Sequence, residues 1–190
     1  MSRTRFIQGA VMITSVVMVA GLGTAWAEKI SGPLAEMAVP AIHVYVIEGE
    51  GAGQQNRVEL VSKRGKQPTI YFFVPSERWS RPTARLLREL DGKVSVAGPE
   101  AKVAFVWLTD DLSEGKAYLP RAQQSLKLEN SLWTVYDGDQ FGPGEWGINI
   151  DADVTVVIAR DGKVVHSIGY LSPNATLTEE IIGRFMVEPE

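Results

Sequence analysis

Ser80 and Thr83, two hydroxyls three residues apart in "RWSRPT" (Arg78 to Thr83), mark where this sequence could do chemistry. A serine nucleophile needs a base within hydrogen-bond reach, itself oriented by a third group. The chain offers two imidazoles, His43 and His166, both in strand-like runs far from Ser80, and no Gly-x-Ser-x-Gly elbow. Structural roles fit both histidines better. The same six residues also read as a helix start. Ser80 is a good N-cap, its hydroxyl accepting from a first-turn amide, and Pro82 suits that turn. Arg78 and Arg81 flank the free N–H groups and positive dipole end of that helix, a place for a small anion or a partner's carboxylate, or simply a solvated basic edge. Trp79, if exposed there, suits protein contact more than cofactor stacking.

A second cluster, "DGDQFGPGEWGINIDAD", gathers Asp137, Asp139, Glu145, Asp151 and Asp153. The oxygens suffice for calcium, but Ile148 stands where a twelve-residue calcium loop needs its glutamate. We therefore expect no metal, no cofactor and no catalytic residue. "NAT" at Asn174 fits the N-glycosylation pattern, which short sequences meet by chance.

The 190 residues contain no cysteine, which excludes disulfides, Fe–S clusters, thiolate metal sites, thiol nucleophiles and a lipid-modified N-terminus. With 45% apolar and 22% charged residues, the composition is that of one globular domain. The N-terminus joins Arg3 and Arg5 to an apolar run from Phe6 and ends in Ala25-Trp26-Ala27. This predicts a signal peptide over 1–27, cleaved between Ala27 and Glu28, and export to the periplasm or medium. Thr14, Ser15, Gly21 and Gly23 make the run weak as a permanent span. Cleavage removes two arginines and no acid, taking the formal net charge from −4 to −6. Without a basic run, nucleic acid is excluded as the main partner.

Residues 28–40 form a Pro/Gly-bearing lead, and 41–190 the domain. Ala41–Glu48 and Arg57–Lys63 predict a hairpin with a long loop. Pro68–Pro75 and Lys102–Asp110 are unbroken apolar runs, the mark of strands buried on both faces. Arg81–Leu90 predicts a helix with Ala84, Leu87 and Leu90 on its apolar face, stopping at Asp91-Gly92. Ser113–Leu126 predicts a helix that Pro120 should kink or split. Leu132–Asp137 is a short strand. Asp161-Gly162 makes a hairpin turn between two further strands. A closing helix is expected with Thr178 as N-cap and Glu179 and Glu180 in its first turn. The alternation of strand and helix in the middle predicts parallel pairing with right-handed crossovers, in a mixed sheet between helices.

This order and its motifs resemble the thioredoxin-like fold in its redoxin version, shared by thioredoxins, peroxiredoxins and periplasmic thiol-disulfide proteins. "VELVSKRGKQPTIYFFV" (58–74) resembles the strand, Gly-Lys and core strand ahead of that family's active site. "WSRPTARLLREL" (79–90) falls where Trp-Cys-x-Pro-Cys opens the first long helix, and "WGINIDADVTVVIARDGKVV" (146–165) is similar to the segment carrying the cis-proline and Asp-Gly turn. The resemblance runs from Ala41 to Phe185. It implies an α/β three-layer sandwich with a mixed central sheet, helices on both faces and an N-terminal β-hairpin.

Ser80 and Thr83 then occupy the positions of the two redox cysteines, and Val154-Thr155 the place of the cis-proline. The Phe73–Trp79 loop is about two residues longer than in thioredoxins. In a peroxiredoxin register Pro75 would open the motif, with Trp79 at its threonine and Pro82 at its cysteine. Neither register supplies the thiolate that disulfide exchange requires. The resemblance thus implies a binding or scaffold module without thiol chemistry. Its surface would be Arg78, Trp79, Ser80, Arg81, Pro82 and Thr83 with Asp153, Val154 and Thr155 beside them, and its partner another exported protein or peptide. The rival reading is a redoxin-type enzyme using other chemistry, or a subunit whose partner brings the cysteine.

Overall fold

Thr69–Pro75 (β4) and Lys102–Leu108 (β5) lie side by side in parallel, Thr69 opposite Lys102 and Pro75 opposite Leu108. Their apolar runs are long because both faces are covered. The computed structural model describes residues 28–47 and 56–187. The proposed signal segment 1–27, with Ala27 of its cleavage point, lies outside the described residues, and Glu28 is the first described residue. Among the described residues no helix is long and apolar enough to cross a membrane.

Around β4 and β5 the chain adds Glu28–Lys29 (β1), His43–Val46 (β2), Arg57–Glu59 (β3), Ser131–Tyr136 (β6), Val154–Arg160 (β7) and Lys163–Tyr170 (β8). The sheet order is β1-β8-β7-β4-β5-β6-β2-β3. β4, β5 and β6 are parallel and every other pairing is antiparallel. The helices are Leu60–Arg64 (α1), Arg81–Lys93 (α2), Leu112–Leu126 (α3) and Thr178–Met186 (α4).

Strand alternation divides the core in two. On one face Ile70, Phe72, Phe105 and Trp107 pack under α2, α3 and α4. On the other, Tyr71, Phe73, Val106 and Val157 meet Leu60 of α1, Val39 and Ile42 of the lead, and Trp146. Trp146 lies 5.0 Å from the Tyr71 ring and 4.8 Å from Phe73. Burying each such side chain contributes roughly 1.5–3 kcal/mol. The sheet thus carries helices on both faces, but all three long ones lie on one. The lead does the rest: Glu36 N–H donates to Val164 O at 2.8 Å and Val39 N–H to Gly162 O at 3.0 Å, strapping it along the sheet.

Several local expectations are corrected. The strand expected over 57–63 ends at Glu59. Its carboxylate accepts from the amides of Ile42, Val61 and Ser62, and so caps α1. α2 does not stop at Asp91-Gly92. Asp91 is buried and accepts from the Glu129 and Asn130 amides and the Ser131 hydroxyl, so the helix runs on to Lys93. The left-handed glycine comes at Gly98, φ 119°, after the 3-10 turn Val94–Ala97. Its apolar face is completed by Thr83 and Leu86, with Ala84 only half-buried. Of the kink or split expected at Pro120, the split does not occur: α3 runs through it, with Gly115 and Leu119 buried against the core. Thr178 caps nothing: its hydroxyl donates to Ala175 O, and Asn174 caps the 3-10 turn Ala175–Leu177 that leads into α4. The Asp161-Gly162 hairpin is present, with φ of 53° and 78° as its tight turn requires.

Candidate functional site

The C-terminal ends of β4 and β5 open on one edge of the molecule, the usual place for ligands in parallel α/β sheets. From Pro75 the chain makes a 3-10 turn, Ser76–Arg78, then extends through Trp79 to Ser80 and enters α2. Ser80 is the N-cap, its Oγ accepting from the Thr83 amide at 3.4 Å. The same Oγ lies 2.8 Å from Thr83 Oγ1. The two hydroxyls at the positions matching the redox cysteines therefore face each other across the first turn. Capping geometry places the N-cap side chain over the amide of the residue three further on, which brings the two hydroxyls within reach. Ser80 is exposed and Thr83 wholly buried.

No base reaches Ser80 among the described residues. Its hydroxyl partners are the Thr83 hydroxyl and amide. His43 lies exposed on β2. His166 sits on β8 with Nε2 buried and unpartnered. Burial and the nearby Arg184 hold its pKa below the usual histidine value, against the pull of Glu180. A serine hydrolase cannot be assembled from this geometry.

Of the nine residues expected to form one surface, six do. Arg78, Ser80, Arg81 and Pro82 are exposed, and Trp79 and Asp153 half-buried. Thr83, Val154 and Thr155 are buried and offer no side chain to a partner. Val154 is paired with Tyr170 inside the sheet. Thr155 Oγ1 lies 2.6 Å from Ser31 Oγ of the lead. No cis peptide bond occurs among the described residues, so the cis-proline position is an ordinary strand start. Arg78 is already paired with Asp153 at 3.3 Å, while Asp153 also accepts from the Ser172 amide at 2.8 Å. This clamp ties the β4–α2 turn to the β8–α4 loop. It also takes Arg78 out of the anion site that the sequence suggested. Between the two loops lies a groove of about 490 Å³, lined by Arg78, Ser80, Pro82, Asp153, Pro173 and Asn174.

Trp79 is not a flat contact residue. Its ring lies 5.5 Å from Phe105 and 5.7 Å from Trp107, and its indole N–H donates to Tyr118 Oη at 2.9 Å. Behind it is a second pocket, about 290 Å³, walled by Trp79, Trp107 and Tyr118 and rimmed by Glu77 and Glu114. Sequence reasoning missed Trp107, Tyr118 and both glutamates here. Trp107 ends a buried strand and Tyr118 lies on the next helix, so adjacency at the strand ends was the available signal.

The acidic loop is engaged elsewhere. Asp137 pairs with Arg57, Asp139 caps the Phe141 amide, and Asp151 lies 3.5 Å from Lys29. No group of three or more metal-ligating side chains is gathered among the described residues.

No family model matches the chain, and no curated relative matches it. Solved structures do. Reduced Prx3 in complex with H₂O₂ from Vibrio vulnificus aligns at TM-score 0.58 and 13% identity, over 80% of this chain and 99% of that one. A DsbF homologue from Corynebacterium diphtheriae aligns at 0.53 and 14%, over 92% and 99%. A secreted thiol-disulfide isomerase from Corynebacterium glutamicum aligns at 0.53 and 12%, over 77% and 84%. The fold is thioredoxin-like, of the redoxin type, and this chain carries it without a cysteine.

Proposed function

We propose that this cysteine-free thioredoxin-like chain is exported and acts as a protein-binding module, using the surface where its structural neighbours would hold their redox site. Arg3, Arg5, the apolar run and Ala25-Trp26-Ala27 support export by a signal peptide cleaved before Glu28. The secreted thiol-disulfide isomerase among the neighbours is in keeping with that compartment. Disulfide exchange and thiol-based peroxide reduction both run through a thiolate, and the chain has none.

The observation that carries the reading is the mutual partnering of Ser80 and Thr83 beside the open Arg78–Asn174 groove. The reactive positions are closed off as a helix cap, while the surrounding surface remains available to a polypeptide. Arg78, Arg81 and Pro82 are its exposed features, with Asp153 half-buried in its pair with Arg78.

The test immobilises the full mature chain and captures exported proteins from periplasmic extract, beside Arg81→Glu/Pro82→Glu and a remote control, Lys127→Glu. Specific partners should be lost only from the double variant. Partners retained equally by all three would refute this surface. Protein recovered with Met1 intact in the membrane pellet would refute export by cleavage. Insulin reduction or peroxide turnover above buffer by a metal-stripped sample would refute a role without redox chemistry.

A further inference from the structure

We propose that the pocket between the β4–α2 turn, the end of β5 and the start of α3 binds an organic cation, an alkylated ammonium or guanidinium head group. The proposal deepens the binding-module reading, on which it rests, by naming the chemistry of what is bound.

Three aromatic side chains wall the pocket. Trp79 and Trp107 stand 5.7 Å apart at 70°, and Trp107 and Tyr118 5.5 Å apart at 33°. The Trp79 indole N–H bond to Tyr118 Oη holds two of the walls together across 39 residues of sequence. Gly115 lets the helix close down on the floor of the pocket. A Cβ there would come within 3.3 Å of Trp107 Cδ1 and Thr109 Cγ2, so α3 rests directly on the indole. Of the three rings Trp107 is buried, Trp79 half-buried and Tyr118 exposed, so a cation would meet chiefly Trp79 and Tyr118.

The charges agree. Glu77 and Glu114 are both exposed at the rim, and neither forms an ion pair among the described residues. Asp153, on the other side of the β4–α2 turn, is by contrast neutralised by Arg78. No Lys or Arg side chain lines the pocket, and Lys116, next to Gly115, is held over the Tyr45 ring. Glu114 also suits the dipole at the α3 N-terminus, but Asp111 already caps that end. Two carboxylates beside three aromatic faces repel an anion. A neutral apolar group would remove water from the carboxylates and return nothing to them. An alkylated cation satisfies both. At about 290 Å³ the pocket is at the small end for ligand sites, sized for one head group and not a whole cofactor.

The experiment follows the indole N–H resonances of the full, isotope-labelled mature chain. Tetramethylammonium chloride is titrated at constant ionic strength, with tert-butanol as the neutral counterpart of similar shape. The expected result is saturable shifts confined to Trp79 and Trp107 with the cation and none with the alcohol. Glu77→Gln/Glu114→Gln should weaken binding about tenfold, because the charged rim is lost while the walls remain. Both positions are exposed, so the double variant keeps the fold, which its melting temperature checks. A short peptide with one trimethyllysine binding more tightly than tetramethylammonium, and its acetyllysine counterpart not binding, assigns the cation to a polypeptide side chain. Equal or weaker peptide binding assigns it to a free small cation. Shifts that never saturate, that match those of tert-butanol, or that persist unchanged in the double variant overturn the proposal. Partner capture that is absent from the parent chain, or unchanged in Arg81→Glu/Pro82→Glu, together with saturable cation binding overturns the surface assigned to Arg81 and Pro82 and leaves the pocket standing. Capture without cation binding does the reverse.

Discussion

Replacing Ser80 and Thr83 together by cysteine should create a disulfide, and the expected stability change can be worked from the cap. The two hydroxyl oxygens already lie 2.8 Å apart. Sulfurs on the same Cβ atoms reach further than oxygens, towards the bonding distance of about 2.05 Å. The reduced double variant loses the Ser80 cap, which costs about 1 kcal/mol. It also loses the bond between the hydroxyls, worth about 1 kcal/mol more. Closing a four-residue loop restricts the unfolded chain by about 2 kcal/mol in the entropy model. The oxidised form should therefore sit within about 1 kcal/mol of the parent, and the reduced form about 2 kcal/mol below it. For a domain of this size that separates the two melting temperatures by roughly 4–8 °C. The thiol placed at 80 should react first with an alkylating agent, since Ser80 is exposed at a helix N-terminus and Thr83 is buried. Thermal melts with and without reductant, together with thiol counting after a mild oxidant, make the assay. Both thiols remaining free, or oxidised and reduced melts that coincide, would refute the geometry argued here.

Three further predictions concern groups that hold the site's scaffold. Asp91→Ala strips the partner from the Glu129 and Asn130 amides and the Ser131 hydroxyl. It should cost about 3 kcal/mol or more, read as a drop in melting temperature of roughly 6–12 °C; a drop under about 2 °C would contradict it. Glu59→Ala removes the carboxylate that accepts from Ile42, Val61 and Ser62 and should cost about 1–2 kcal/mol in urea denaturation. Partial burial pushes the Glu59 pKa up, but hydrogen bonds from Ser62, Ile42 and Val61 outweigh it and leave it below 4.5. Its stabilisation is thus present above that pH and lost as pH falls through the folded value, so the alanine variant should show a shallower acid decline. His166 has the opposite charge type. Its folded pKa lies below 6.5, chiefly through burial, so the unfolded chain takes up the proton first. Stability should be full above about pH 6.5 and fall as pH drops from there towards the folded value. His166→Gln should lose that component, and melts at about pH 7.5 and about pH 5 test it; an unchanged pH dependence would rule it out.

Some of this molecule is written within a few consecutive residues. The absence of a thiol is a matter of composition. The buried runs of β4 and β5, the Asp161-Gly162 turn and the Ser80 cap are encoded over spans of two to eight residues, where periodicity and side-chain-to-backbone bonds act directly. Those signals sufficed for the strand–helix order and hence for the thioredoxin-like fold. Other features were decided only by tertiary contact. Glu59 ends a strand because Ile42, 17 residues earlier, offers an amide to its carboxylate. Asp91 lets a helix run through Gly92 because a loop 38 to 40 residues later presents donors to it. The lead has no period, and becomes ordered only against β8 and through bonds such as that between Ser31 and Thr155. Val154 and Thr155 could be placed beside Ser80 from sequence, but which way they face depends on the register with β8. The pocket of Trp79, Trp107 and Tyr118 exists because two crossovers bring the ends of β4 and β5 under the start of α3. Each of those residues alone reads as ordinary core. Their convergence is a property of the packed sheet, where long-range contacts outweigh local preference.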